Sequence, residues 1–186
     1  MEIYNNSTTD NKKTKNKVII ALNIILIVII VLLVIVIATI NSIWTALTVE
    51  GSSMQETFVS GDKVIVIMKW YELDYEDIVV FNKSDEKKVI KRVIGLPGDV
   101  IRYNTIEKAW YRNGELLVED YVYGGYSDSY LNSTNLDVYA LLTGDGIIVG
   151  DNELFVLGDN RIDSNDSHIY GCISQESLVG KFLFKY

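Results

Sequence analysis

The sequence predicts a mainly β protein: one N-terminal transmembrane helix followed by an antiparallel β domain. An aliphatic run without charge extends from Val18 to Ile40. After it, short segments rich in valine and isoleucine alternate with glycine-containing turns, which is typical of strands joined by tight connections. No long window of this later region repeats apolar side chains every 3.6 residues, as an amphipathic helix would.

The aliphatic run is long enough to cross a bilayer. A helix rises about 1.5 Å per residue, so residues 18–40 can span a hydrocarbon core of about 30 Å. A cleaved secretory signal is the alternative, but its apolar region has about 7–15 residues and ends in a small-residue cleavage site. This run is longer, and no convincing small-x-small site follows it, although Ala46 is close. We therefore expect a retained anchor.

The charges beside the run predict its orientation. Four lysines precede it, and the first charged residue after it is Glu50. The positive-inside rule then places the N-terminus in the cytoplasm and the following domain outside the cell. We expect a cytoplasmic tail at 1–17 whose first dozen residues are disordered, a single-pass membrane helix at 18–40 and an extracytoplasmic β-rich domain at 41–186.

Eight segments of this domain are predicted as strands. They are Lys63–Trp70, Ile78–Phe81, Val89–Ile94, Ala109–Arg112, Glu115–Val118, Gly146–Val149, Leu154–Val156 and Leu178–Phe184. Asn113-Gly114, between two of these segments, is a strong signal for a two-residue hairpin. The stretch Tyr121–Asp145 is rich in Tyr, Ser, Asn and Gly, and we expect a long loop or a peripheral excursion there.

Composition excludes some classes of function. Residues 44–186 carry a formal charge of about -10, which disfavours contact with phosphate backbones, so we expect no nucleic acid partner. The chain has one cysteine, Cys172, and one histidine, His168. It therefore has no intramolecular disulfide or thiolate metal cluster, and histidine-based catalysis has a single candidate.

Two basic residues could assist a serine nucleophile. His168 follows Asp166-Ser167, and three neighbours in a chain rarely form a triad, so a surface or loop histidine is the favoured interpretation. A lysine can act as the base only if it is neutral. Lys91 lies among aliphatic residues, which suits such a base but also a solvent-facing lysine on an edge strand. On its own, the segment Gly51-Ser52-Ser53-Met54 indicates only a turn that carries two serine hydroxyls.

The oxygen-rich segment from Gly158 to Ser167 also has several interpretations. Its side chains resemble a cation-binding loop in part, but the alternation, the central glycine and the closing glutamate of an EF-hand are absent, so calcium is not expected. An ordinary polar loop and a hydrogen-bonded scaffold that orients catalytic groups both remain open.

Taken together, these segments resemble those of the type I signal peptidases. The length of the chain and its single anchor resemble the Gram-positive branch of that family. The resemblance covers nearly the whole chain in the order of the family's motifs. The matching segments are Ser53-Met54 with Thr57 (S-M-x-P-T-L), Gly61-Asp62-Lys63-Val64 (G-D-x-V), Lys91 through Asp99 (K-R-V-I-G-L-P-G-D), and Gly158-Asp159-Asn160-Arg161 with Ser164-Asn165-Asp166-Ser167 (G-D-N-R-x-x-S-x-D-S-R).

The resemblance implies a membrane-bound serine endopeptidase with a Ser–Lys dyad. Ser53 would be the nucleophile, its backbone N–H an oxyanion donor, and neutral Lys91 the general base. Gly51 stands where some members have a serine that adds a hydroxyl donor. Ser164 resembles the serine that hydrogen-bonds the lysine, and Asp166 resembles the acid that braces the site.

The resemblance also implies what the enzyme acts on. Its partners would be preprotein signal peptides and membrane lipid, and the reaction would need neither metal nor cofactor. Cleavage would follow small-x-small (Ala-x-Ala) sites, because shallow apolar pockets exclude large side chains. Four residues resemble the pocket lining: Val49, Met54, Phe58 and Val89. The oligomeric state is not predicted.

Three positions depart from the family's pattern. Glu56 stands where the family has proline, His168 where it has arginine, and Phe58 where it has leucine. We expect Glu56 to point to solvent and His168 to keep one hydrogen bond of the arginine's two. A signal-peptidase-like pilus or surface-protein assembly factor without proteolysis is the alternative function, although such factors lack the dyad. An anchored β binding module is a third possibility.

Overall fold

A computed structural model describes residues 2–84, 87–126, 131 and 136–186 in two units, 1–43 and 44–186. The first unit is a helix, α1 (Glu2–Ile43), and its segment Lys15–Ile43 is long and apolar enough to cross a membrane. Because α1 begins at Glu2, the expectation that the first dozen residues are disordered is wrong. A helix that the apolar run has nucleated can extend through the preceding residues, since adding a residue to an existing helix avoids the cost of nucleation.

The second unit is built of antiparallel strands, as the sequence predicts. Its described residues form eleven strands: β1 (Trp44–Thr48), β2 (Lys63–Ile67), β3 (Ile78–Ser84), β4 (Lys87–Gly95), β5 (Val100–Asn104), β6 (Ala109–Arg112), β7 (Glu115–Leu116), β8 (Ile147–Ile148), β9 (Glu153–Leu157), β10 (Ile173–Ser174) and β11 (Leu178–Lys185). Two short helices, α2 (Leu136–Thr143) and α3 (Ser167–Tyr170), accompany them.

The strands form two sheets that hold the functional segments in fixed register. One sheet has the order β1-β2-β11-β3-β4-β9-β10, and the other β7-β6-β5-β8. Strand β4 therefore lies inside the larger sheet, and Lys91 on it is opposite Val79 of β3. Strand β9 pairs with β4 through Arg92, Val93 and Gly95, so among the described residues β4 has an open edge from Lys87 to Lys91.

Buried apolar side chains form three clusters within this unit. One of them lies between β2, β3, β4 and the segment after β1; its buried members are Val49, Met54, Phe58, Val64, Val66, Ile78, Val80 and Ile90. A second cluster joins the two sheets through Trp110 and Phe155, whose ring centroids are 5.4 Å apart. The third includes Val79, Phe81 and Val93. The functional segments are thus attached to a packed support.

The predicted hairpin at Asn113-Gly114 is present between β6 and β7. Both turn residues have positive φ, 55° and 84°, as a type I′ turn requires. The loop expected at Tyr121–Asp145 is partly wrong, because its described residues include α2 and the buried Leu131. Its remaining residues, 127–130 and 132–135, lie outside the described ranges.

Candidate active site

Ser53 lies in a turn that follows β1 and is anchored by buried side chains on its far side. Met54 and Phe58 are almost completely buried, and the N–H of Phe58 donates to the Met54 carbonyl at 2.8 Å. Gly51 enters the turn with φ +86°, a conformation that a residue with a side chain adopts only under strain. The turn therefore holds Ser53 half-buried on a rigid base.

Lys91 faces Ser53 from the middle of β4. Its Nζ lies 2.6 Å from the Ser53 Oγ and 3.0 Å from the carbonyl oxygen of Ile90. Only 3% of the Lys91 residue is exposed, so the alternative of a solvent-facing lysine on an edge strand is wrong. The contact joins residues 38 positions apart in the sequence.

The surroundings of Lys91 favour its neutral form. Burial lowers the pKa of Lys91 to about 8, and the nearby charges of Lys83 and Lys87 act in the same direction. The negative charges of Asp166 and Asp159 oppose this shift. Near pH 8 a large fraction of Lys91 therefore has a free lone pair, which an ordinary lysine with a pKa of about 10.4 lacks.

A buried ion pair lies beside the contact between Ser53 and Lys91, and it involves the next residue of β4. Arg92 donates to both carboxylate oxygens of Asp159, at 2.8 and 2.6 Å. Asp159 also accepts a hydrogen bond from the Thr57 hydroxyl at 2.5 Å, and Tyr121 covers the guanidinium with its ring. This network joins the turn that carries Ser53, strand β4 and the segment after β9. Sequence reasoning missed it, because its members are distant in the chain.

Asp166 organises the polar segment after β9. It is completely buried and accepts hydrogen bonds from the Gly158 N–H at 2.8 Å and the His168 N–H at 3.1 Å. Burial raises the pKa of Asp166, but hydrogen bonds from His168, Ser164 and Gly158, with the charge of His168, hold it below its usual value. Asp166 thus stays an anion that braces this segment.

Two expectations for this segment need correction. Among the described residues the Ser164 hydroxyl donates to Asp166, a strong charged acceptor, and the hydrogen bonds of the Lys91 amine go to Ser53 and Ile90 instead. His168 is buried, with Nδ1 2.7 Å from Asp166, so its interpretation as a surface or loop histidine is wrong. The segment is a hydrogen-bonded scaffold rather than an ordinary polar loop.

A groove of about 530 Å³ opens in front of Ser53 and Lys91. It is lined by Leu47, Thr48, Val49, Glu50, Gly51, Ser53, Val64, Val80, Lys87, Lys88, Val89, Ile90 and Lys91. Of the four predicted pocket residues, Val49 and Val89 therefore line the groove. Met54 and Phe58 pack in the apolar cluster instead, and Phe58 meets Phe182 edge to face at 5.0 Å. The side chain of Glu56 is exposed, as expected.

The walls of the groove offer two strand edges to an extended peptide. Strand β1 is the terminal strand of its sheet, and β4 is open from Lys87 to Lys91. An extended chain can add to such edges through main-chain hydrogen bonds, with alternate side chains entering the groove. The site can thus hold a peptide bond against a serine whose hydroxyl contacts a buried lysine.

Comparisons with known proteins show which family this chain resembles. The family model described as "Signal peptidase, peptidase S26" matches residues 21–186. Signal peptidase I of Bacillus caldolyticus is 35% identical over 155 residues, covering 77% of this chain and 80% of that protein. Signal peptidase I V of Bacillus subtilis is 34% identical over 151 residues, covering 75% and 84%. A crystal structure of a signal peptidase I from Enterococcus faecalis, 30% identical, covers 61% of this chain and 98% of its own, with a TM-score of 0.46.

Proposed function

The chain belongs to the signal peptidase family, peptidase S26, and we propose that it removes N-terminal signal peptides from secreted preproteins with Ser53 as nucleophile and Lys91 as general base. The proposal depends most on one observation, the 2.6 Å contact between the Lys91 Nζ and the Ser53 Oγ. This distance is within reach for a direct proton transfer. Because burial lowers the pKa of Lys91 to about 8, the amine is available to accept that proton.

The proposed reaction proceeds in two halves. As the Ser53 Oγ attacks the scissile carbonyl carbon, its proton passes to the Lys91 amine, and the carbonyl oxygen becomes an oxyanion. The Lys91 ammonium then gives its proton to the leaving amine as the C–N bond breaks, which leaves an acyl ester on Ser53. Water attacks this ester and loses its proton to Lys91, and the same proton returns to Ser53 as the signal peptide leaves.

The groove supports a preference for small side chains. An extended peptide directs every second side chain to the same face, so the residues one and three positions before the cut enter the groove together. Val49 and Val89 lie on its walls beside Ser53 and Lys91. Shallow apolar positions admit alanine and exclude larger side chains, which favours cleavage after Ala-x-Ala sites.

The N-terminal helix supports a membrane location. The segment Lys15–Ile43 has the length and composition of a membrane span, and four lysines precede its apolar part. We propose that it anchors the protein with the N-terminus in the cytoplasm and residues 44–186 outside, where translocated preproteins present their cleavage sites. Membrane lipid and signal peptides would then be its partners.

The direct test is cleavage of a preprotein with an Ala-x-Ala site by the full-length protein in detergent, beside Ser53→Ala and Lys91→Ala. We expect cleavage by the unchanged protein and its loss in both variants, each with an unchanged circular dichroism spectrum. Failure of the intact, folded protein to cut several preproteins would overturn the proposal and favour a non-proteolytic assembly factor.

A further inference from the structure

The carbonyl of Ser52 is held by two donors at once. The N–H of Gln55 donates to it at 3.0 Å within the turn, and the Nδ2 of Asn160 donates to it at 3.1 Å from the segment after β9. A carbonyl oxygen has two lone pairs, so both of its acceptor positions are used. Asn160 is itself buried, which restricts the side chain that makes this contact.

This carbonyl shares its peptide plane with the N–H of the nucleophile. In a trans peptide the C=O of Ser52 and the N–H of Ser53 point in opposite directions. Fixing the carbonyl toward Asn160 therefore turns the Ser53 N–H away from Asn160. Among the residues that the structure describes, no acceptor takes this N–H, and Ser53 lines the groove. A free, oriented donor thus stands beside the nucleophilic oxygen.

The next peptide group is tied to the same residue. The backbone N–H of Asn160 donates to the Ser53 carbonyl at 3.1 Å. Gly158 packs so closely against this carbonyl that a Cβ there would lie 2.4 Å from the oxygen. Residues 158–160 therefore hold the two peptide planes on either side of the Ser53 Cα.

We propose that Asn160 is a positioning residue that aims the Ser53 N–H at the oxyanion of the tetrahedral intermediate. The inference rests on the proposed function, because it assigns a role to a residue that holds the peptide group of the proposed nucleophile. Gly51, on the groove wall, has no side chain that could donate to the same oxygen. The backbone donor and its orientation then matter more.

The contact from Asn160 also strengthens the donor. Hydrogen bonds to a carbonyl polarise the amide, so the N–H of the same peptide group becomes a better donor. An oxyanion donor acts through its position before the charge develops, and loss of one such donor typically costs about 100- to 1000-fold in kcat. The Asn160 side chain makes no described contact with the Ser53 Oγ, so its effect passes through the peptide group that joins Ser52 to Ser53.

The test is Asn160→Ala in the full-length protein, which removes the side-chain donor and keeps the backbone N–H that binds the Ser53 carbonyl. We expect kcat for an Ala-x-Ala peptide to fall about 10- to 100-fold while KM changes less than about threefold. The matched control is Asn152→Ala, the same substitution at an exposed asparagine whose side chain donates to Glu176 and does not contact the Ser53 turn. This control should keep kcat within about threefold of the unchanged protein.

Two further readouts separate orientation from general damage to the fold. A peptide boronic acid forms a tetrahedral adduct with a serine, and its affinity should fall in Asn160→Ala by the same factor as kcat. The matching peptide amide forms no adduct and should bind equally to both proteins. The amide resonance of Ser53 in an NMR spectrum should also move in Asn160→Ala, because the Ser52 carbonyl of the same peptide group loses one donor.

Each outcome bears on the inference separately from the proposed function. Cleavage by the unchanged protein, with Asn160→Ala equally active or altered only in KM, would overturn the role of Asn160 and leave the function intact. An equal loss in Asn152→Ala would overturn it as well. If the unchanged protein cleaves no preprotein, the proposed function fails. The orienting contact is then tested by NMR alone, and a Ser53 amide resonance that does not move in Asn160→Ala would overturn it.

Discussion

Two basic residues lie side by side on β4, and their surroundings give them opposite properties. Lys91 is buried against Ser53 and Ile90, and burial lowers its pKa to about 8. Arg92, next to it, is buried against Asp159, which accepts two hydrogen bonds from its guanidinium. Burial alone therefore does not decide what a cation does here. A directly paired guanidinium supports the fold, whereas an amine beside a hydroxyl can give up its proton.

The largest expected effect comes from replacing Lys91 with arginine, the residue type of its neighbour Arg92. Lys91→Arg keeps a cation at this position, but a guanidinium does not lose its proton in a protein. We expect kcat/KM for an Ala-x-Ala peptide to fall by roughly 10⁴-fold, as for loss of other nucleophile-activating bases. Lys91→Met is the control for size and charge and should lose as much. A fall of less than about tenfold in both variants would contradict the role of Lys91.

The second largest effect, on stability, is expected when a substitution breaks the ion pair of Arg92. Asp159→Asn removes the charge that compensates a buried guanidinium, so we expect the free energy of unfolding to fall by about 3–5 kcal/mol. Chemical denaturation measures this. The control is Lys185→Met, which breaks the more exposed pair with Asp62 and should cost far less stability, because water screens an exposed pair. Similar losses in the two variants would show that Arg92 is not held as described.

A smaller effect is expected on the pH dependence of kcat/KM when the charge next to Asp166 is changed. The negative charge of Asp166 raises the pKa of Lys91 against the effect of burial. His168→Arg places a permanent cation beside Asp166, so the rise of kcat/KM with pH should move to lower pH, by less than about one unit. The control is His168→Gln, which adds no cation and should not move the rise to lower pH. A shift to higher pH in His168→Arg would contradict this coupling.

The smallest effect is expected at Glu56, where the family has proline. The side chain is exposed, so its charge is screened by water and acts weakly on Lys91. We expect Glu56→Pro to change kcat/KM by less than about threefold. A gain of roughly a hundredfold would show instead that the glutamate impairs the base.

The sequence predicted the local features of this fold better than its long-range contacts. The hairpin around Asn113-Gly114 was predictable, because a two-residue turn with positive φ has a clear signature. Strands β1, β5 and β10 were missed: β1 adjoins the apolar run, β5 mixes polar and apolar residues, and β10 has only two residues. Such short segments depend on their partners for stability rather than on intrinsic preference.

The candidate site shows the same limit. Motifs placed Ser53 and Lys91 together, but an aliphatic neighbourhood in the sequence cannot distinguish a buried lysine from an exposed one. The pair between Arg92 and Asp159 joins residues 67 positions apart, and the fold alone creates it. Met54 and Phe58 look like pocket residues in the motif, yet the turn directs both into the apolar cluster.

The pH dependence of kcat/KM tests the central claim most directly, because it reports the ionisation of the free enzyme's base. Full-length protein would be assayed with an uncharged Ala-x-Ala peptide between pH 6 and 11, with protein stability checked at each pH. If neutral Lys91 activates Ser53, activity rises as the amine loses its proton and reaches half its maximum near the pKa of about 8. A midpoint near the ordinary lysine value of about 10.4, or a rate that does not change with pH, would contradict the account.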